Sequence, residues 1–221
     1  MELFIKQLNK VGINDVLEVG GKNASLGEMI QNLTPKGIKI PGGFVVTASA
    51  YKYVLKKSKV KSQKSKVQFK SQNLLDFIKE SIKDLDIKNL RNLARQGKLI
   101  RETIKNAEFP EDLNKKIIDA YQEMEKEYGK NVDVAVRSSA TAEDLPGASF
   151  AGEHETFLNI RGKEEVLKAV KSSMASLFTN RAISYRVDKG FSHFDVALSV
   201  GVQKMVRSDT GCSGVAFTLD T

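Results

Sequence analysis

Apolar and polar positions alternate along this chain with two different periods, and the switches between them mark its elements. After a polar start, Leu26, Met29, Ile30 and Leu33 follow Gly20-Gly21-Lys22 at the spacing of one helical face, which predicts an amphipathic helix beginning at a glycine turn. Residues 38–40 and 44–46 read as two extended pieces on either side of Pro41-Gly42-Gly43, with Thr47 placed to cap a helix over 48–57. Residues 73–128 have a helical period. Leu90, Leu93, Ala94, Ile100 and Ile104 form one stripe and Leu113, Ile117, Ile118 and Tyr121 another, divided at Pro110. A strand follows over 132–136, then a polar loop over 137–152 and a second strand over 156–160. Two helices are predicted over 164–178 and 179–189. Val196, Leu198, Val200 and Val202 then alternate with smaller residues. Val215, Phe217 and Leu219 alternate in the same way after a turn at 208–211, the pattern of an antiparallel hairpin. The fold class is α+β, in three segments: 1–72, a helical insertion over 73–130, and 131–221.

Two stretches have the composition of phosphate sites. Gly20-Gly21-Lys22 before a helix offers free backbone N–H donors, the positive end of the helix dipole and an ammonium group. It is not a Walker A loop, because Val16 stands where that motif needs its first glycine and Asn23 where it needs a hydroxyl. The sequence RSSATAEDLPGASFAG over 137–152 combines small and hydroxyl residues with an arginine at its root, so backbone amides and a guanidinium can approach an anion together. A surface loop with local hydroxyl bonds is the competing reading. Glu143 and Asp144 are not assigned as metal ligands. Gln203-Lys204-Met205-Val206 ends a strand, where backbone groups can read a purine edge. His154 and His193 have no nucleophile at a recognisable spacing and read as structural.

Composition narrows the classes. The 221 residues are 41% hydrophobic and 28% charged, which suits a globular domain, and no apolar stretch approaches a membrane span. The start carries no secretory h-region. One cysteine, Cys212, suits a reducing cytoplasm and reads as a small half-buried side chain on a strand. The net charge of +8 comes almost wholly from residues 56–70, a loop or linker with seven lysines and no acid. Without tryptophan or arginine-interleaved aromatics, a nucleic-acid partner is disfavoured.

Five blocks in order resemble the pyruvate phosphate dikinase and phosphoenolpyruvate synthase family: VGGKNASLGEM at 19–29, IPGGF at 40–44, VRSSATAEDLPGASFAGEHETFL at 136–158, RAISYR at 181–186, and VQKMVRSDTGCSGVAFTLD at 202–220. They span nearly the whole chain, and the runs 182–186 and 205–209 favour the synthase branch. The resemblance implies an ATP-grasp-type domain that binds ATP or AMP with Mg²⁺. In it Lys22 and Arg137 hold phosphates, Gly152 lets the loop close over them, Thr156 adds a hydroxyl, and Gln203, Met205 and Val206 face the nucleotide. It implies a reaction of ATP, pyruvate and water giving AMP, phosphoenolpyruvate and phosphate by way of a phosphorylated histidine. That histidine and the pyruvate site belong to other domains, so no catalytic residue is expected in these 221 residues and the metal ligands are expected beyond Thr221. A homodimer is expected of the full-length enzyme. Glu153 and His154 depart from the glutamines of many relatives, and the lysine-rich stretch is a further departure. Alternatives are the ATP domain of a rifampin-type phosphotransferase or of a pyruvate phosphate dikinase and, from another class, a non-catalytic nucleotide- or nucleic-acid-binding module.

Overall fold

The computed structural model describes residues 4–60, 73–83, 85–141 and 155–216. Five strands, β1 (Ile5–Gln7), β2 (Gly43–Val46), β3 (Val134–Ala140), β4 (Thr156–Ile160) and β5 (Leu198–Lys204), form one antiparallel sheet in the order β1-β2-β5-β3-β4. Among the described residues seven α-helices flank it: α1 (Val16–Leu33), α2 (Ala48–Lys57), α3 (Leu74–Lys83), α4 (Leu90–Asn106), α5 (Glu111–Tyr128), α6 (Lys163–Ala175) and α7 (Asn180–Asp188). The α+β class expected from the pattern is the class observed.

Local chemistry sets several boundaries. Thr47 is extended and its hydroxyl accepts from the Ala50 N–H at 3.3 Å, starting α2 as expected. Asn89 and Thr179 cap α4 and α7 in the same way, through the N–H groups of Asn92 and Ala182. Pro110 precedes α5, whose first turn carries Glu111 and Asp112 where the helix dipole favours negative charge.

The two faces of the sheet differ. Phe44, Val46, Val134, Val136, Leu198, Val200 and Val202 point to one face and join a single apolar core with residues of α2 through α6. The helices of 73–128 therefore share the core of the sheet. On the other face Val45 packs with Val19, Ala24 and Ile30 of α1, and the remaining inward positions are small or polar: Ser139, Ser199 and Gly201. Tyr121 ties α5 to both neighbours: its buried hydroxyl donates to the Val132 carbonyl at 2.7 Å and accepts from the Gly162 N–H at 2.9 Å.

Several expectations are corrected. The hairpin is absent among the described residues, because both edges of β5 are occupied by β2 and β3, leaving none for a following strand. Residues 205–216 hold no strand, and 217–221 lie outside the described residues. Arg137–Ala140 belong to β3 rather than to a loop, paired residue by residue with β5 as far as Leu198. Leu90, at 76% exposure, and Ala94 lie off the buried stripe of α4, which runs through Leu93, Gly97, Ile100 and Ile104. Met29 is exposed too, since α1 buries its small-residue side, including Gly20, Gly21, Asn23, Ala24 and Gly27. The polar start contains β1, residues 38–40 form no strand, and Cys212 is exposed and outside any strand.

Candidate nucleotide site

The site begins at a break in α1. Gly20 has φ 73° and ψ 158°, so the helix restarts at Gly21. A Cβ at position 20 would lie 2.2 Å from Ser139 Oγ, which shows how closely the chain crosses β3. Beyond the break, the Lys22 N–H donates to Ser139 Oγ at 3.2 Å. That donor is spent on the sheet, correcting the expectation that it is free for an anion.

Buried polar contacts hold this helix in place. The Asn23 amide donates to the Val19 carbonyl at 2.9 Å and to Ser199 Oγ at 3.0 Å. The Ser199 hydroxyl lies against the carbonyls of Val19 and Ser139 and donates to one of them. Gly201 leaves room for Asn23, because a Cβ there would sit 2.3 Å from Asn23 Oδ1. Sequence reasoning missed Asn23, Ser139, Ser199 and Gly201 as supports of the site. For Ser199 and Gly201 the signal was the alternation of β5, in which Ser199, Gly201 and Gln203 are the small or polar partners of Leu198, Val200 and Val202.

Arg137 lies on the same face of β3, opposite Gly201 on β5 and Thr156 on β4. Its Nη2 donates to Gln203 Oε1 at 2.6 Å, while Gln203 Nε2 donates to the Pro41 carbonyl at 3.0 Å. Burial pushes the Arg137 pKa down from its ordinary value. Among the described residues no carboxylate pairs with this guanidinium. Desolvating a cation without a counterion is unfavourable, and a bound anion relieves it. The structure thus brings Arg137, Thr156 and Gln203 together on one face and packs the backbone of exposed Lys22 against Ser139, two residues along β3. Gly152 lies outside the described residues, as do Glu143, Asp144, Glu153 and His154.

Met205 and Val206 follow β5. The Met205 N–H donates to the Asp133 carbonyl at 3.0 Å and its carbonyl accepts from Lys204 Nζ at 2.9 Å, so both its main-chain groups are engaged within the protein. Val206 is 64% exposed, and its carbonyl accepts from the Ser208 N–H. Lys204 Nζ also lies 2.6 Å from Asp133 Oδ1, and this contact holds the Asp133 carboxyl below the usual carboxylate range.

A family model for the pyruvate phosphate dikinase AMP/ATP-binding domain matches residues 16–221. The chain belongs to that family. It is 54% identical over 215 residues to the phosphoenolpyruvate synthase of Aquifex aeolicus, covering 97% of this chain and 24% of that protein. To the phosphoenolpyruvate synthases of Helicobacter pylori and Escherichia coli it is 50% and 48% identical, covering 99% and 96% of this chain and 25% of each relative. The chain spans about a quarter of the length of these curated relatives, matching their N-terminal part. All seven residues singled out from the sequence fall inside the matched AMP/ATP-binding domain.

Among the described residues, no group of three or more His, Cys, Asp or Glu is placed to hold a metal ion. His193 is half-buried, and its Nδ1 accepts from Arg186 Nε at 3.0 Å. Burial first, and the Arg186 charge second, push its pKa down to about 4, so the ring is neutral at pH 7. No helix among the described residues is long and apolar enough to cross a membrane.

Proposed function

We propose that the polar face formed by Arg137, Thr156 and Gln203, with Lys22 on the adjoining helix, is the phosphate end of an ATP site of the ATP-grasp type. Residues 73–130 are a helical insertion in this unit, and Gly152, Val206 and the side chain of Met205, whose main-chain groups are engaged within the protein, complete the site. The whole protein acts as a phosphoenolpyruvate synthase in the cytoplasm. ATP phosphorylates a histidine of a swivelling domain, and pyruvate receives that phosphoryl group, giving phosphoenolpyruvate, AMP and phosphate with consumption of water. This chain alone supplies the nucleotide-binding portion and does not complete the reaction.

One observation carries the reading: Arg137 is a half-buried cation held by a neutral amide and met by no carboxylate among the described residues. A guanidinium so placed offers remaining N–H donors to phosphate oxygens in a fork geometry. Phosphoryl transfer is governed by positioning and charge neutralisation, and a fixed cation on a rigid strand contributes to both. The positive end of the helix restarting at Gly21 adds to the field. Mg²⁺, when bound with the nucleotide, neutralises phosphate charge. Among the described residues no group of three or more His, Cys, Asp or Glu is placed to hold it, and the roles of Arg137, Thr156, Gln203 and Lys22 do not depend on it.

The test is calorimetric titration of Mg-ATP into the purified chain and into Arg137→Ala and Lys22→Ala. Wild type binds, Arg137→Ala loses binding, and Lys22→Ala weakens it. An Arg137→Ala variant that is folded and binds with unchanged affinity would contradict the assignment.

A further inference from the structure

Gln203 sits between two groups that demand different ends of its amide. The Pro41 carbonyl only accepts hydrogen bonds, so it takes the Nε2 end, and Oε1 is left to face Arg137. The Pro41-Gly42-Gly43 turn is itself pinned. The Gly42 N–H donates to the Tyr128 hydroxyl at 3.2 Å, and the Gly42 carbonyl accepts from the Lys204 N–H at 3.1 Å. A side chain is excluded by backbone at Gly43, and one at Gly42 would press on the Tyr128 hydroxyl. A Cβ at Gly43 would sit 2.0 Å from the Val202 carbonyl oxygen, and one at Gly42 would sit 2.9 Å from the Tyr128 hydroxyl. A continuous set of contacts thus runs from the end of α5 through the turn and the Gln203 amide to the guanidinium.

We infer that Gln203 is a positioning residue that works through Arg137, and that it must be a neutral amide so the guanidinium is oriented while its charge stays available to the polyphosphate. This role rests on the nucleotide-binding reading of the face and gives Gln203 a different task from contact with the base. A carboxylate at this position would orient the guanidinium equally well, but it would neutralise the cation and compete with phosphate for the same N–H donors. It would also face the Pro41 carbonyl with no hydrogen to donate. An alanine would leave the guanidinium charged but without its orienting bond.

The experiment compares the magnesium salts of tripolyphosphate and ATP as titrants into the 221-residue chain, its Gln203→Glu variant and its Gln203→Ala variant, with thermal unfolding as the folding control. Gln203→Glu should weaken both titrants by the same factor, at least about tenfold, corresponding to the loss of one charge-assisted contact. Gln203→Ala should weaken both equally but less, because the charge remains. Equal losses identify the phosphate end as the affected part, an outcome that general destabilisation does not produce in variants whose unfolding is unshifted. ATP binding reduced with tripolyphosphate binding unchanged would place Gln203 on the nucleoside and overturn the inference. Unchanged binding of both in Gln203→Glu would overturn it too, as would a wild-type chain that binds ATP but not tripolyphosphate. A wild-type chain that binds neither would remove the nucleotide-binding reading, and this inference with it.

Discussion

Replacing Gly20 by alanine adds one carbon atom at the point where α1 crosses the sheet. Two costs follow. The backbone at φ 73° and ψ 158° lies in a region open in practice only to glycine, and holding another residue there costs on the order of 1–3 kcal/mol. The new Cβ would also lie 2.2 Å from Ser139 Oγ and 2.8 Å from the Ser139 carbonyl oxygen, both below any real contact. Relieving such overpacking typically costs a further 1–3 kcal/mol, so the total is about 2–6 kcal/mol. Gly37 provides the control. Its φ of 86° is similarly left-handed, but nothing lies within 4 Å of a Cβ there, so Gly37→Ala should show backbone strain alone, about 1–2 kcal/mol. Equilibrium urea unfolding followed by circular dichroism gives both differences from midpoint and slope. In a double variant, Ser139→Ala removes the nearest clashing atom and should return part of the Gly20→Ala loss, a coupling expected only for groups in contact. A Gly20→Ala cost no larger than that of Gly37→Ala would refute the clash, and so would independent addition of the changes at 20 and 139.

Two further predictions concern stability. His193 has an ordinary pKa of 6.5 that falls to about 4 in the folded protein, so between these values the unfolded chain binds more protons. Stability is therefore flat above about pH 6.5, is lost as pH falls towards 4, and levels off below; the ceiling of this contribution is about 3 kcal/mol. Unfolding at pH 7 and pH 5 checks it: His193→Phe should reduce the difference, and an equal pH sensitivity would refute it. Tyr121→Phe strands both the Val132 carbonyl and the Gly162 N–H, at a cost of about 1–3 kcal/mol. Faster amide exchange at Gly162 is the local readout, and unchanged protection there would show that the hydroxyl is not the partner.

The parts of this fold that were legible in the sequence are those decided within a few residues. Thr47 starts α2 because its hydroxyl needs only the N–H of Ala50, three positions on. Arg137–Ala140 were not legible as a strand, because the hydroxyl that makes Ser139 read as loop is satisfied by Lys22, 117 residues away. The β5 alternation correctly signalled a strand with one apolar face, but its neighbours come from β2 and β3, and no local pattern reveals which edges are taken. Leu90 has helical spacing, yet it opens α4 where no other helix covers it, so periodicity alone assigned it to the core. In the site, the cation and its strand neighbours could be named from the resemblance. The bond between Arg137 and Gln203 could not, since it joins residues 66 apart that become adjacent only through the β3–β5 register.

The position of β5 has a consequence for the edges of the sheet. Strands β1 and β2 form one antiparallel pair and β3 and β4 another, and β5, the last of the five in the sequence, is the strand that joins them among the described residues. Without Leu198–Lys204 in place, β2 and β3 would each present an unpaired edge, and pairing of β5 covers both. Open edges of this kind invite pairing with other chains. Loss of β5 pairing therefore uncovers two strand edges together, those of β2 and β3.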